Sequence, residues 1–427
     1  MVINQHSIET IKKQIISPSH VRPDYAGYNF ANIPGTILNL FNVPVENRLQ
    51  ALALPGQASN EVSNKKVIFL FIDAFGWRKF EEFATESAVL QHFLQDGVVS
   101  QLTAQFPSTT TAHVTTAHTN LRVGQHGMYE WNYYEPRVDA MITPLFFSFT
   151  GDYTRGTLGG SGIEAQDIYP RHNIYAALSG QEVPSYIFNK GEYASSPYNT
   201  AVCHGATHQV SFDDLPQGLN RLAQAVLAQQ GPGYFFLYWG QYDALCHTYG
   251  PDSPEADVEL RSILELIETK LLGPLAEVRD TLLLVSADHG QTTIDPAQTI
   301  YLDRLLPDIG ASFKRSGSGR PLVPAGSCRD FFLYIEEDRL DESKERLRRA
   351  LDGRVQVLRV DGLLQDGYFG LPVSETFLAR VGNLLLLPEP GESIWWAGPG
   401  GWELPFRGFH GGLHQEEMLI PLLALSL

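Results

Sequence analysis

Apolar residues in this chain gather into short unbroken runs, separated by longer stretches in which they recur with a helical period. The clearest runs are Lys66 to Ile72 (KVIFLFI), Tyr234 to Tyr238 (YFFLY) and Thr281 to Ser286 (TLLLVS). None alternates with period 2, which is the pattern of strands covered on both faces of a largely parallel sheet. Between them, Asp214 to Gln229 and Pro254 to Leu272 read as amphipathic helices. The order predicts an α/β fold with a mostly parallel central sheet and helices on both faces. In such sheets ligands gather beyond the carboxyl ends of the strands.

Residues 1–60 carry Pro18, Pro23, Pro34, Pro44 and Pro55 and read as an N-terminal wrapping arm with one short helix near Thr36 to Phe41. The interval 300–392 differs from its surroundings. It opens with a Gly/Ser/Pro-rich loop (Ser316 to Gly326), then offers a strand (Phe331 to Ile335), a charged helix (Asp341 to Leu351), a second strand (Val355 to Val360) and an apolar run (Asn383 to Leu387). This is read as a small inserted α/β cap. The core is then 61–299 and 393–427.

With 31 Lys+Arg against 48 Asp+Glu in 427 residues, the formal charge is −17. Neither that balance nor any basic run suits a nucleic-acid scaffold or an anionic membrane surface. No apolar stretch approaches the roughly 18 residues of a membrane span, and Met1 to Ser19 mixes Gln, His, Glu and Lys where a signal peptide needs an apolar segment. Cys203, Cys246 and Cys328 are too few and scattered for a disulfide framework. The cytoplasm is the expected location.

Chemistry-bearing residues recur at strand exits. Asp73 ends KVIFLFID, and Asp288 and His289 follow TLLLVS; a single carboxylate there would read as a helix cap, but the repetition does not. Asp243 and His247, four apart after YFFLYW, share one helical face. His410 precedes Gly411 and Gly412, which would allow it close approach to a crowded centre. So many carboxylates and imidazoles in one crevice would repel one another without a cation, and an oxygen/nitrogen set lacking thiolate suits zinc, manganese or a related divalent ion. The hydroxyl-rich stretch QFPSTTTAHVTTAHTN, Gln105 to Asn120, alone reads as a capped helix start. Beside a divalent ion it suggests a nucleophile at a helix N-terminus, hence phosphoryl transfer.

The sequence of motifs, FIDAFGW, FPSTTTAHVTTAHTN, GQHGMYEW, DALCHTYGP, SADHG and HGGLHQEEMLIP, resembles the alkaline phosphatase superfamily, and within it the type I phosphodiesterase/nucleotide pyrophosphatase branch. The resemblance spans most of the chain after residue 60. It implies an alkaline phosphatase-like fold and two divalent ions, zinc first and manganese second. Asp243, His247 and His410 would hold one; Asp73, Asp288, His289 and the nucleophile would hold the other. Family nucleophiles stand nine residues before a Thr-Gly pair. Here Thr119 is followed by Asn120, which selects Thr110, with Thr109 as second choice. His126 and Gly127 match a structural turn.

Implied too are a covalent phosphothreonine and a small phosphorylated substrate, with the Thr111 N–H and the Asn132 amide donating to phosphoryl oxygens. Nucleotide pyrophosphatases carry Asn where this chain has Trp131; Asn132 comes one place later. A phosphomonoesterase, a phosphonate hydrolase and a non-catalytic metal-binding effector module are the alternatives. Two local readings also stay open. The aromatic run Tyr129, Trp131, Tyr133 and Tyr134 suits stacking a base or flooring the cleft, and Arg329 suits an anion contact or a structural salt bridge.

Overall fold

The computed structural model describes residues 3–46, 48–49, 66–152, 154–398 and 401–427. Positions 50–60 of the predicted arm, Pro55 among them, lie outside the described residues, as do 1, 2 and 47. Seven strands build the central sheet: β1 (Lys66–Ile72), β2 (Val98–Thr103), β3 (Ser185–Lys190), β4 (His208–Phe212), β5 (Gly233–Trp239), β6 (Thr281–Ser286) and β7 (Leu419–Ser426). Their spatial order is β2-β7-β6-β1-β5-β3-β4. From β6 to β4 all pairs are parallel, and only β7 runs against its neighbours β2 and β6. Residues 67–72 of β1 are buried on both faces, which is why no alternation marks them in the sequence.

The amphipathic stretches form Leu215–Ala228, capped by the Asp214 carboxylate accepting from the Gln217 N–H at 2.9 Å, and Pro254–Leu266. The arm's helix spans Ile33–Leu40. A further helix, Gln5–Lys12, was not foreseen, because it buries only Ser7 and Ile11. Tertiary bonds secure it: the Asn4 N–H donates to Val99 O at 2.8 Å and the Gln101 N–H to Ser7 Oγ at 3.0 Å. With the parallel bridges Ile3–Val99 and Asn29–Thr103, the arm covers the outer edge of β2, a sheet margin that would otherwise present unpaired amides.

Between residues 300 and 395 lies a second sheet, in the order Ala325–Gly326, Phe331–Leu333, Leu384–Pro388, Val355–Arg359. Alternate side chains divide between two cores. Phe331, Leu333, Leu384 and Leu386 join Leu347 and Leu351 of the helix Leu340–Leu351, whereas Phe332, Leu385 and Leu387 pack into the main core. Ile300–Tyr301 pairs with Ile394–Trp395, so the second cluster draws on residues just beyond position 392.

Arg329 ties this segment to the C-terminal one. It is fully buried, with Nη2 2.9 Å and Nε 3.2 Å from the two Glu417 carboxylate oxygens, and Nη1 donating to the carbonyls of Glu389 and Glu392. The guanidinium is spent on structure, which decides against the anion-contact reading. Removing one partner of a buried pair leaves an uncompensated charge and costs about 3–5 kcal/mol. Arg329→Met should lower unfolding stability by about that amount in denaturant titrations, and adding Glu417→Leu should recover part of it.

Candidate metal centre

Three adjacent strands, β6, β1 and β5, deliver the three carboxylates to one edge. Asp73 follows β1 directly, Asp288 stands two residues after β6, and Asp243 lies in the first turn of the helix Gln241–Tyr249 that follows β5. Because β7 is antiparallel, the segment leading into it starts at that same edge and brings His410 there. Two glycines permit the crowding. A Cβ on Gly290 would lie 2.1 Å from Glu416 O, and Gly411, at φ +127°, would place one 2.3 Å from Asp330 Oδ1. Ala74 adopts φ +63°, an unusual conformation without glycine, and its N–H donates to Asp288 Oδ1 at 3.1 Å.

His289 Nε2 lies 3.2 Å from Asp288 Oδ2 and 3.5 Å from Asp73 Oδ1. His247 Nε2 is 3.3 Å from Asp243 Oδ2, and His410 Nε2 is 3.8 Å from Asp243 Oδ1. The rings of His289 and His410 stack at 3.6 Å. Two ligand-sized clusters result, Asp73/Asp288/His289 and Asp243/His289/His410. The expected membership is therefore shared differently: His289 reaches both groups, and His247 stands beside Asp243 outside the tighter triad.

These groups fit cations. Among the described residues Asp73 Oδ1 and Asp288 Oδ2 are buried without hydrogen-bond partners, a costly arrangement unless an ion meets them. All three imidazoles point Nε2 inward while Nδ1 lies at a backbone carbonyl: Gly408 O at 2.9 Å from His247, Gly290 O at 3.1 Å from His289 and Ser108 O at 2.8 Å from His410. That arrangement fixes the tautomer a metal ligand needs. Burial, reinforced by Asp288 and Asp243, pushes the Asp73 carboxyl well up, and burial with Asp243 raises Asp288 to about 7. Burial lowers His410 to about 4 and, with His410 nearby, depresses His289 further. For His247 burial is outweighed by Asp243, which raises it.

Thr110 opens the helix Thr110–Thr119, and its Oγ1 lies 3.4 Å from Asp73 Oδ2 and 3.2 Å from His289 Nε2. Thr109 is the residue before the helix, buried, with no bond to the cluster. The helix ends on Asn120 in the left-handed conformation, φ +57°. Asn is the usual substitute where a C-terminal cap favours Gly, which explains the altered Thr-Asn pair. At the His126–Gly127 turn, His126 Nδ1 accepts from the Met128 N–H at 3.0 Å, and Gly127 takes φ +72°.

Asn132 is not brought to the cluster. Its Oδ1 accepts from Thr143 Oγ1 at 2.6 Å and Thr150 Oγ1 at 3.2 Å, and its carbonyl accepts from Gly326 N. Trp131, its neighbour in the bend that precedes the strand Tyr133–Glu135, lines the cleft instead. Asn132→Ala should leave turnover within about threefold of wild type, since a side chain outside the cleft adds no transition-state contact. A loss of a hundredfold in kcat would show that the amide swings inward.

Of the aromatic run, only Trp131 reaches the cleft; Tyr129 and Tyr133 are buried and stack on each other at 5.2 Å. His113 and His118 are buried and hydrogen-bonded, while His204 and His208 are exposed. Two contacts were missed by the sequence reading. Tyr238 Oη donates to Asp73 Oδ2, and Gln291 Nε2 donates to Asp243 Oδ1. Their positions, at the end of β5 and two residues past His289, were the available signal.

The sequence model of the family described as type I phosphodiesterase / nucleotide pyrophosphatase matches residues 67–412. Among solved structures, murine ectonucleotide pyrophosphatase/phosphodiesterase 5, in an inactive form complexed with AMP, superposes with a TM-score of 0.63 at 18% identity, covering 84% of this chain and 88% of that one. The human counterpart gives 0.62 at 18% identity, with 84% and 87% covered. These likenesses establish the alkaline phosphatase-like fold. They also overturn the cytoplasmic expectation, since by name these are ectoenzymes. Scarcity of cysteine carries no address in a chain with a core this large, which has no need of disulfide support. No helix among the described residues is long and apolar enough to cross a membrane. Spanning most of its length, from β1 to the first three residues of the final motif, the family match decides the assignment: this chain belongs to the type I phosphodiesterase/nucleotide pyrophosphatase family.

Proposed function

We propose that the chain hydrolyses a phosphodiester or phosphoanhydride bond of a small phosphorylated substrate, using two divalent ions and Thr110 as nucleophile. The observation that carries this is the Thr110 hydroxyl, 3.4 Å from Asp73 and 3.2 Å from His289 within one cluster of buried carboxylates and imidazoles. Two bound divalent ions supply charge for the phosphoryl, attacking and leaving oxygens at once. Zinc is the first candidate and manganese the second, given oxygen and nitrogen donors without thiolate.

Asp73, Asp288 and His289 hold one ion in this reading, and Asp243, His247 and His410 the other, with His289 within reach of both. Tyr238 orients Asp73 and Gln291 orients Asp243. Thr110 sits in the first turn of its helix, where backbone N–H groups are free, and the Thr111 N–H serves a non-bridging oxygen. Thr110 Oγ1, its proton released to solvent, bonds to phosphorus as the bond to the leaving oxygen breaks, and the leaving oxygen takes up a proton from water, which gives phosphothreonine. Water then attacks from the vacated side, frees the phosphoryl product and restores the hydroxyl. Two inversions produce net retention. The retained ester group occupies a cleft of about 260 Å³ beside Trp131, Phe146 and Tyr193, and the segment 300–392 acts as the cap.

Turnover of bis-(p-nitrophenyl) phosphate and p-nitrophenyl phosphate, with added Zn²⁺ or Mn²⁺, tests this reading. The diester should be preferred at least about tenfold in kcat/KM, since a group filling the cleft adds transition-state binding. Monoester preference would mark a phosphomonoesterase. Absence of turnover with metal bound would mark a non-catalytic module.

A further inference from the structure

Within the same cleft lies a cation that the reaction at phosphorus leaves unused. Arg155 is the only Lys or Arg among its described lining residues. The guanidinium carbon sits 4.0 Å from the centre of the Phe146 ring and 5.6 Å from that of Tyr193. Arg155 is exposed, and among the described residues no carboxylate or hydrogen-bond acceptor is bonded to its guanidinium. Stacking on aromatic faces holds the guanidinium plane while leaving its edge N–H groups free, the geometry that receives a carboxylate or phosphate. Asn189, 7% exposed at the carboxyl end of β3, lines the same cleft, and its carboxamide has no partner among the described residues. In a chain of net charge −17, with Asp73 and Asp243 lining the same cleft, this cation is the group there that can receive an anion away from the carboxylates.

We infer that Arg155, with Asn189 lining the same cleft, forms a subsite for a second anionic group, a carboxylate or a phosphate, on the retained ester portion of the substrate. This rests on the hydrolase reading above, in which the two ions meet the charge at the scissile phosphorus. The metal-driven chemistry then acts on phosphoric esters whose retained arm is itself an anion, and Trp131 and Phe146 flank the linker.

Three p-nitrophenyl diesters with one leaving group and different retained arms, ethyl, 2-carboxyethyl and 2-phosphoethyl, separate the possibilities. Wild type should favour an anionic arm over ethyl by about 10–100-fold in kcat/KM, mainly through KM, the range of a charge-assisted hydrogen bond. Arg155→Ala should erase that preference and leave the ethyl diester within about threefold. Whichever anionic arm loses more identifies the ligand as carboxylate or phosphate. Titration calorimetry of Thr110→Ala, with and without Arg155→Ala, should give the same ranking without turnover. Equal loss on all three arms would place Arg155 at the scissile phosphate and overturn the inference, as would a wild type indifferent to the arm in both kinetics and binding. Binding that ranks as expected without wild-type turnover of any diester would sink the hydrolase reading alone.

Discussion

Thr110→Ala is expected to lower kcat by at least about 10³-fold on any diester while leaving metal binding intact, because removing a nucleophile abolishes the covalent route and not the ion sites. Among the described residues at the helix start, the Thr110 hydroxyl bonds to the cluster, whereas Thr109 is buried and makes no bond to it. Thr109→Ala should therefore keep kcat within about tenfold, any loss arising from packing. Acid quenching of the wild type during turnover should leave a phosphoryl group on the peptide carrying Thr110, absent from Thr110→Ala. Wild-type rates in Thr110→Ala would remove the nucleophile assignment. Loss confined to Thr109→Ala would shift it by one position.

Chelation should be the other large effect, on turnover and stability together. Among the described residues Asp73 Oδ1 and Asp288 Oδ2 have no hydrogen-bond partner, and burial first, with Asp243 nearby, pushes both carboxyls up, so their charged forms are costly without a cation. A ligand that binds only the folded state stabilises it by about 4 kcal/mol at a thousandfold excess over Kd. EDTA-treated protein should thus be inactive and melt several degrees lower, with Zn²⁺ or Mn²⁺ restoring both. The sign with pH follows from proton competition: burial, with Asp243 nearby, raises the Asp288 carboxyl to about 7, and it must lose its proton to bind, so metal affinity should rise between pH 6 and 8. Asp288→Asn removes that proton and one ligand charge, so it should weaken binding and flatten the pH dependence. Melting temperatures unmoved by chelation would refute two structural ion sites.

Much of this was legible because the informative features are local. β1 and β6 coincide with the runs that predicted them, and β5 extends its run by one residue at each end. A buried parallel strand must be continuously apolar, so the first carboxylate after it marks a sheet edge. Asp73, Asp288 and Asp243 were identifiable for that reason. The helix Gln5–Lys12 was not, because its stability comes from bonds to β2 rather than from its own amphipathic face. Asn132 was not placed by local pattern for a similar reason: its carboxamide oxygen is taken by Thr143 and Thr150, partners 11 and 18 residues further along the chain.

By itself, then, the sequence determined which strands are buried, which acidic groups terminate them and which hydroxyl run precedes a helix, since each depends on a few neighbouring residues. Tertiary structure alone decided that β6, β1 and β5 lie side by side, that an antiparallel β7 carries His410 to the same edge, and that His289 reaches both clusters. It also decided that Arg329 is consumed by Glu417 while Arg155 stays unpaired in the cleft. These outcomes join residues far apart along the chain, and distant partners are selected by packing of the whole sheet, which no local pattern encodes.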